Sequence, residues 1–169
     1  MRHLALFLAL VCLLLAGCGD DGSLKARTEK LAAFSVTLPD GWSTNIPSGI
    51  ECTRGRCTAG FSRVGGSRSA VTVSVIPSLG KTLDEIVAES MGRSASQDAV
   101  MRVVSQTPGR VAFEGTIKGS ETQIIAVLDE EAKEVGILML VGENREQVDE
   151  VARTVRMVNP RLDFGLGGN

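Results

Sequence analysis

The chain has 169 residues, with 18 Lys and Arg against 20 Asp and Glu and a formal net charge of −2. That balance excludes the basic footprint of a nucleic-acid partner. The one histidine is His3 and there is no tyrosine, so the chain beyond its amino-terminal stretch lacks the base for Ser-His-Asp or Cys-His chemistry and the imidazole ligands of a zinc site.

Met1, Arg2 and His3 form a short basic head, residues 4–15 are an almost unbroken apolar run, and Ala16 and Gly17 lead to Cys18. This is the layout of a secretory signal with a small-residue processing site. At about 12 residues the run fits a signal's apolar region, and it falls short of the roughly 20 needed to span a bilayer. Leu15-Ala16-Gly17-Cys18 resembles the lipobox of bacterial lipoproteins, whose cysteine receives a diacylglyceryl group and becomes the first residue after cleavage. The resemblance implies a signal peptide over residues 1–17 and a membrane anchor through lipid on Cys18. Gly19, not Asp, follows Cys18, which by resemblance to enteric sorting favours the outer membrane, facing the periplasm, over the inner one. An ordinary signal, or an interfacial helix with an incidental cysteine, is the other reading of the same residues. Removing 17 residues takes away Arg2 and no acid, leaving one domain's length of chain, able to bury on the order of 70% of its unfolded surface.

Residues 18–30 follow as lipidated cysteine and tether, polar and carrying Asp20, Asp21, Gly22 and Ser23. A single domain is expected over residues 31–160. Its first strand spans residues 33–38, with Phe34, Val36 and Leu38 alternating against Ser35 and Thr37. Pro39-Asp40-Gly41 then turns the chain, and Trp42, the only tryptophan, reads as a core anchor or, in the minority reading, a ligand-stacking ring. Cys52 and Cys57 flank Thr53-Arg54-Gly55-Arg56; in an oxidising envelope this spacing favours a disulfide across a hairpin tip, worth roughly 2 kcal/mol by the chain-entropy model. Free thiols, a redox couple or half a thiolate metal site are the alternatives, and the two-residue spacing usual for the last two is missing.

Residues 58–64 and 70–76, joined through Gly65-Gly66-Ser67, make a hairpin in which Val71, Val73 and Val75 alternate with Thr72 and Ser74. Thr82-Leu83-Asp84-Glu85 has capping-box spacing ahead of a helix bearing Leu83, Ile86, Val87 and Met91 on one face. Strands follow over residues 100–106, 111–117, 122–128 and 135–141. The last two are apolar at successive positions and so belong at the centre of a sheet, covered on both faces. Asn144 and Gln147 open a second helix with Val148, Val151, Ala152 and Val155 as its buried stripe, Asn159-Pro160 ends it, and residues 161–169, with Gly165, Gly167 and Gly168, read as a loose tail. Short connections favour an α+β fold, an antiparallel meander sheet packed between helices.

The Leu38-Pro39-Asp40-Gly41-Trp42 corner and this order of elements, over roughly residues 34–158, resemble the PsbP-like superfamily with its DcrB-like and LpqN-like envelope lipoproteins. That resemblance implies a generally non-catalytic protein serving assembly, chaperoning or binding, with no cofactor and no site residues to carry over.

Ser78-Leu79-Gly80-Lys81 matches the S-x-x-K pattern of penicillin-binding enzymes, but Gly80 and the cap at Thr82 put Ser78 in a turn, and the companion motifs are missing. Asp129, Glu130, Glu131 and Glu134 lack the alternation of a calcium loop and read as a solvated hairpin tip. Between Cys52 and Leu83 lie Arg54, Arg56, Arg63, Arg68 and Lys81 and no acid. Such a stretch either protects hairpin edges or forms a contact surface for an acidic envelope protein or anionic headgroups. The expected function is a non-enzymatic, membrane-anchored envelope lipoprotein with a binding or assembly role. The alternative is a small-ligand or metal-binding periplasmic module using a cleft near Trp42.

Overall fold

The computed structural model describes residues 24–47, 51–65, 69–94 and 98–166. The expected signal peptide over residues 1–17, Cys18, the first part of the expected tether, Arg68 and the end of the tail lie outside the described residues. In chain order the elements are β1 (Arg27–Lys30), β2 (Phe34–Leu38), β3 (Trp42–Asn45), β4 (Cys57–Arg63), β5 (Ala70–Pro77), α1 (Leu83–Ser94), β6 (Ala99–Thr107) and β7 (Arg110–Ile117). After them come β8 (Ser120–Asp129), β9 (Glu134–Val141), α2 (Arg145–Arg153), β10 (Arg156–Met157) and a 3-10 turn at Pro160–Leu162.

Seven strands form one sheet in the order β3-β4-β5-β9-β8-β7-β6, and β1-β2-β10 form a second. All pairings are antiparallel. The apolar strands β8 and β9 are interior, as their composition requires, because a strand with two apolar faces needs a layer on each. On one face Val71, Val73 and Val75 of β5 align with Cys57, Ala59 and Phe61 of β4, and Leu138 and Leu140 of β9 align with Val73 and Val71. This face meets Phe34, Val36 and Leu38 of the small sheet, Val148, Val151 and Ala152 of α2, and Leu162 and Phe164, in one apolar core. On the other face Leu83 of α1 packs with Met101, Val111, Phe113, Ala126, Leu128 and Val135.

The fold class is therefore a correction. An α+β meander packed between helices was expected, but the described residues form ten strands in two antiparallel sheets with two α-helices. Much of the layer assigned to a helix is supplied by a small sheet. Its edge strand β1 consists of Arg27, Thr28, Glu29 and Lys30, residues with no apolar alternation to mark them as strand, which is why they read as tether. They pair with Leu38, Thr37, Val36 and Ser35. The helix-start signals were sound: Glu85 Oε2 accepts from the Thr82 N–H at 2.8 Å while Thr82 Oγ1 accepts from the Glu85 N–H at 3.3 Å, and Asn144 Oδ1 accepts from the Gln147 N–H. The expected stop was not, since α2 ends at Arg153, β10 follows, and Asn159-Pro160 opens the 3-10 turn instead.

The tail is the second correction. Leu162 is 0% exposed and Phe164 is buried, and both close over Gly136. A Cβ on Gly136 would stand 3.2 Å from the Leu162 Cβ, so the glycine lets the returning chain lie directly on β9. Leu162→Ala should lower stability by about 2–5 kcal/mol, the usual cost of emptying a fully buried leucine site, read from chemical denaturation of the body; a tail lying loose in solvent would leave the midpoint unchanged.

Candidate functional site

Strand directions give the large sheet two ends. At one lie Leu24 and the Pro39-Asp40-Gly41 corner, held by Gly41 N–H donating to Leu24 O at 2.8 Å and Val64 N–H donating to Gly41 O at 2.8 Å. The β7–β8 turn and the Gly142-Glu143-Asn144 connection share it, joined by Gly142 N–H donating to Glu121 O. At the other end, about 30 Å away along the ten residues of β8, lie the Cys52–Cys57 tip, the Ser78–Lys81 turn, the β8–β9 turn and Pro160–Leu162. The chain enters the fold at the first end; call it proximal, and the other distal.

Beside the proximal end Arg27 closes the open edge of β3. Its Nη1 donates to Trp42 O at 2.8 Å, its Nη2 to Thr44 Oγ1 at 2.9 Å, and its Nε to Glu29 Oε1 at 2.7 Å. The Arg27 and Thr44 hydrogen bonds hold the Glu29 carboxyl below its ordinary pKa. Both residues lay in the stretch read as tether, and only pairing across the sheet reveals them.

At the distal end Asp129 is a clasp. It is 6% exposed; its Oδ1 accepts from the Glu131 and Ala132 N–H groups at 3.0 and 3.1 Å and its Oδ2 from Asn159 Nδ2 at 2.9 Å. Asn159 Nδ2 also donates to Glu134 Oε2 at 3.3 Å, and Arg161 pairs with Glu131 and, at 3.7 Å, with Asp129. The Asn159 hydrogen bond first, then the backbone donors, hold the Asp129 carboxyl below the usual range. Only Glu130 and Glu131 of the acids at this tip, with Ala132 and Lys133, are as exposed as a solvated turn requires; Asp129 is buried and Glu134 half-buried.

Cys52 and Cys57 form a bonded pair with Cα atoms 4.3 Å apart, and the tip they close is a tight bridge of Thr53 and Arg56. Arg54 and Arg56 are exposed on it. Arg63 is exposed at the opposite end of β4, opposite Trp42, so the basic stretch is not one surface. Edge protection does not explain Arg63 either, since β4 lies between β3 and β5. Trp42 is 2% exposed inside the core, so its ring offers no stacking surface. Ser78 is buried in the turn before α1 and donates its N–H to Lys133 O, while the Lys81 ammonium pairs with Glu89. That pairing turns the S-x-x-K lysine toward a carboxylate. Among the described residues no three potential metal ligands come together, and no helix is long and apolar enough to cross a membrane.

No protein-family model matches the chain, and no curated protein matches it. Among solved structures it is similar to a mutant of "Protein Mog1", with a TM-score of 0.45 and 11% identity over 80% of this chain and 97% of that one. A likeness of that degree places no activity, ligand or partner on this chain.

The Asp129 clasp has a pH signature. Because the fold lowers its pKa, the stability it contributes is fully present above the ordinary carboxylate range, near 4, and is lost as pH falls through the lower folded value. Asp129→Asn should cost about 1–3 kcal/mol at pH 7, with the gap to the parent closing below about pH 4 in a denaturation series. A gap constant from pH 7 to pH 3 would contradict the clasp.

Proposed function

We propose that the chain is a non-catalytic envelope lipoprotein, held in the outer membrane by lipid on Cys18, whose body binds or assembles with another envelope component. The observation that carries this reading is positional. Leu24, at the proximal corner, lies six residues after a lipobox-like cysteine, so the link reaches at most about 22 Å. A long flexible tether would let every surface meet the bilayer equally; a link this short favours the proximal end. Exposed Lys25 and Arg63 belong to that end, and each base near an anionic surface contributes about 1 kcal/mol of attraction.

The bonded cysteine pair accords with an oxidising compartment. Among the described residues, the ionisable groups with displaced pKa values, Glu29, Glu85, Asp129 and Arg161, are each engaged in an edge closure, a helix cap or the distal clasp. Functional sites tend to concentrate such groups in a cleft, and here each one holds backbone or a neighbouring turn in place.

Cys18→Ser should move the protein from the membrane fraction to the soluble periplasmic fraction, or stop its processing so that the longer precursor accumulates. Normal processing with unchanged membrane retention through a carbonate wash would contradict anchoring by this thiol.

A further inference from the structure

Among the described residues four strands end a sheet, and three of those edges are blunted. β1 carries three charges in its four residues, at Arg27, Glu29 and Lys30, β10 is two residues long, and β3 has its Trp42 carbonyl taken by Arg27. Charge, shortness and a covering group are the usual protections against pairing with another chain. The fourth edge, β6, is nine residues long and pairs with β7 alone. Its one charge, Arg102, is paired with Glu114 of β7 at 3.8 Å. After it the strand reads Val103-Val104-Ser105-Gln106-Thr107, uncharged and exposed throughout.

Of the six large apolar side chains exposed among the described residues, three are on this strand: Val100 at 76%, and Val103 and Val104 each at 40%. Single exposed apolar residues are ordinary, whereas three on one unpaired edge are a concentrated patch. Val100 stands opposite Thr116 and Val103 opposite Phe113, an odd number of residues apart, so the two flank the edge on opposite faces of the sheet. The register shifts between Val103 and Ser105, which leaves Val104 with no residue facing it on β7. A bulge of this kind re-aims a side chain.

We propose that β6 is a docking edge to which another envelope protein adds an extended segment, its backbone continuing the ladder and its apolar side chains lying beside Val100 on one face and Val103 on the other. The backbone decides the occupant: the outward N–H and C=O groups of an edge strand are matched in spacing only by a second extended chain. A second copy of this chain fits poorly. Antiparallel pairing of two β6 edges would set the entry corner of one body beside the distal end of the other, about 30 Å along the strands, whereas links of at most about 22 Å hold both corners to one bilayer. Only that exclusion rests on the anchored reading.

The test places a benzophenone photocrosslinking amino acid at Arg102, at Ser105 and at Thr107 in turn, all exposed, in the full-length protein in native envelopes, and maps each adduct by mass spectrometry of its peptides. The attachment sites should fall in one segment of one other protein and step along it in a single direction as the probe moves along β6, as paired strands require. Lysine on an edge opposes pairing, so Val100→Lys plus Val104→Lys should weaken all three adducts by about tenfold or more. Both side chains are exposed, so the thermal midpoint of that variant should match the parent's, which separates docking from folding. A probe at Asn45, exposed on the guarded β3 edge, should not give the adduct. No protein adduct from β6, adducts with lipid or with another copy of this chain, attachment sites scattered without direction, or adducts indifferent to the lysines would overturn the proposal. Where the Cys18→Ser protein is soluble yet gives the same stepped adducts, docking stands independently of the anchor; an anchored parent with no β6 adduct removes docking and leaves the anchor intact.

Discussion

Everything else in the molecule is placed by the contact between β2 and the centre of the large sheet. Phe34, Val36 and Leu38 are almost completely buried, and they share one core with Val71, Val73 and Val75 of β5 and Leu138 and Leu140 of β9. Burying side chains of this size contributes about 1.5–3 kcal/mol each, enough to hold a small sheet whose third strand is only two residues long. Once β2 is fixed there, β1 pairs along its free edge, Arg27 reaches across to β3, and the chain is obliged to enter at the Leu24–Gly41 corner. The same layer leaves α2 and the carboxy-terminal segment to cover the remaining apolar surface, which Leu162 does by lying over Gly136.

The consequence is a body with two unlike ends. Near the entry point are turns and exposed bases, joined by backbone hydrogen bonds among Leu24, Gly41 and Val64. Far from it, one buried aspartate, one asparagine and an arginine tie the β8–β9 turn to the segment at Asn159–Arg161, the Ser78 turn joins them through Lys133 O, and a disulfide closes the Cys52–Cys57 tip. Such cross-linking of turns provides a rigid surface, and rigidity lowers the entropic cost of recognition. The basic residues between Cys52 and Leu83 form one run in sequence, yet β4 carries Arg63 to one end and leaves Arg54 and Arg56 at the other.

Much of the large sheet was legible because its signals are local. Alternation marked β4 and β5, continuous apolar runs marked β8 and β9 as interior, and Thr82 with Glu85 marked the start of α1. What escaped depends on partners distant in the chain. Arg27-Thr28-Glu29-Lys30 has no apolar period, so its strand character exists only through β2. Leu162 and Phe164 follow Asn159-Pro160, which reads as a helix stop but opens the 3-10 turn, and precede glycines, and nothing nearby reveals the bare backbone of Gly136 that receives them. Asp129 is a turn-opening aspartate by its own sequence, but its burial comes from Asn159, thirty residues on. The helix-packed architecture failed for the same reason: two short polar or isolated stretches were strands.

Orientation at the membrane is the claim on which the functional reading turns, and energy transfer measures it directly. Protein carrying the lipid proposed at Cys18 is placed in vesicles whose headgroups carry an acceptor, with a donor fluorophore on Glu143→Cys in one sample and on Glu130→Cys in another. Both positions are exposed, at opposite ends of the sheet, separated by about 30 Å of strand. Strong transfer from position 143 and weak transfer from position 130 is the expected result. Equal transfer from both, or the stronger transfer from position 130, would contradict a body that stands on its proximal end.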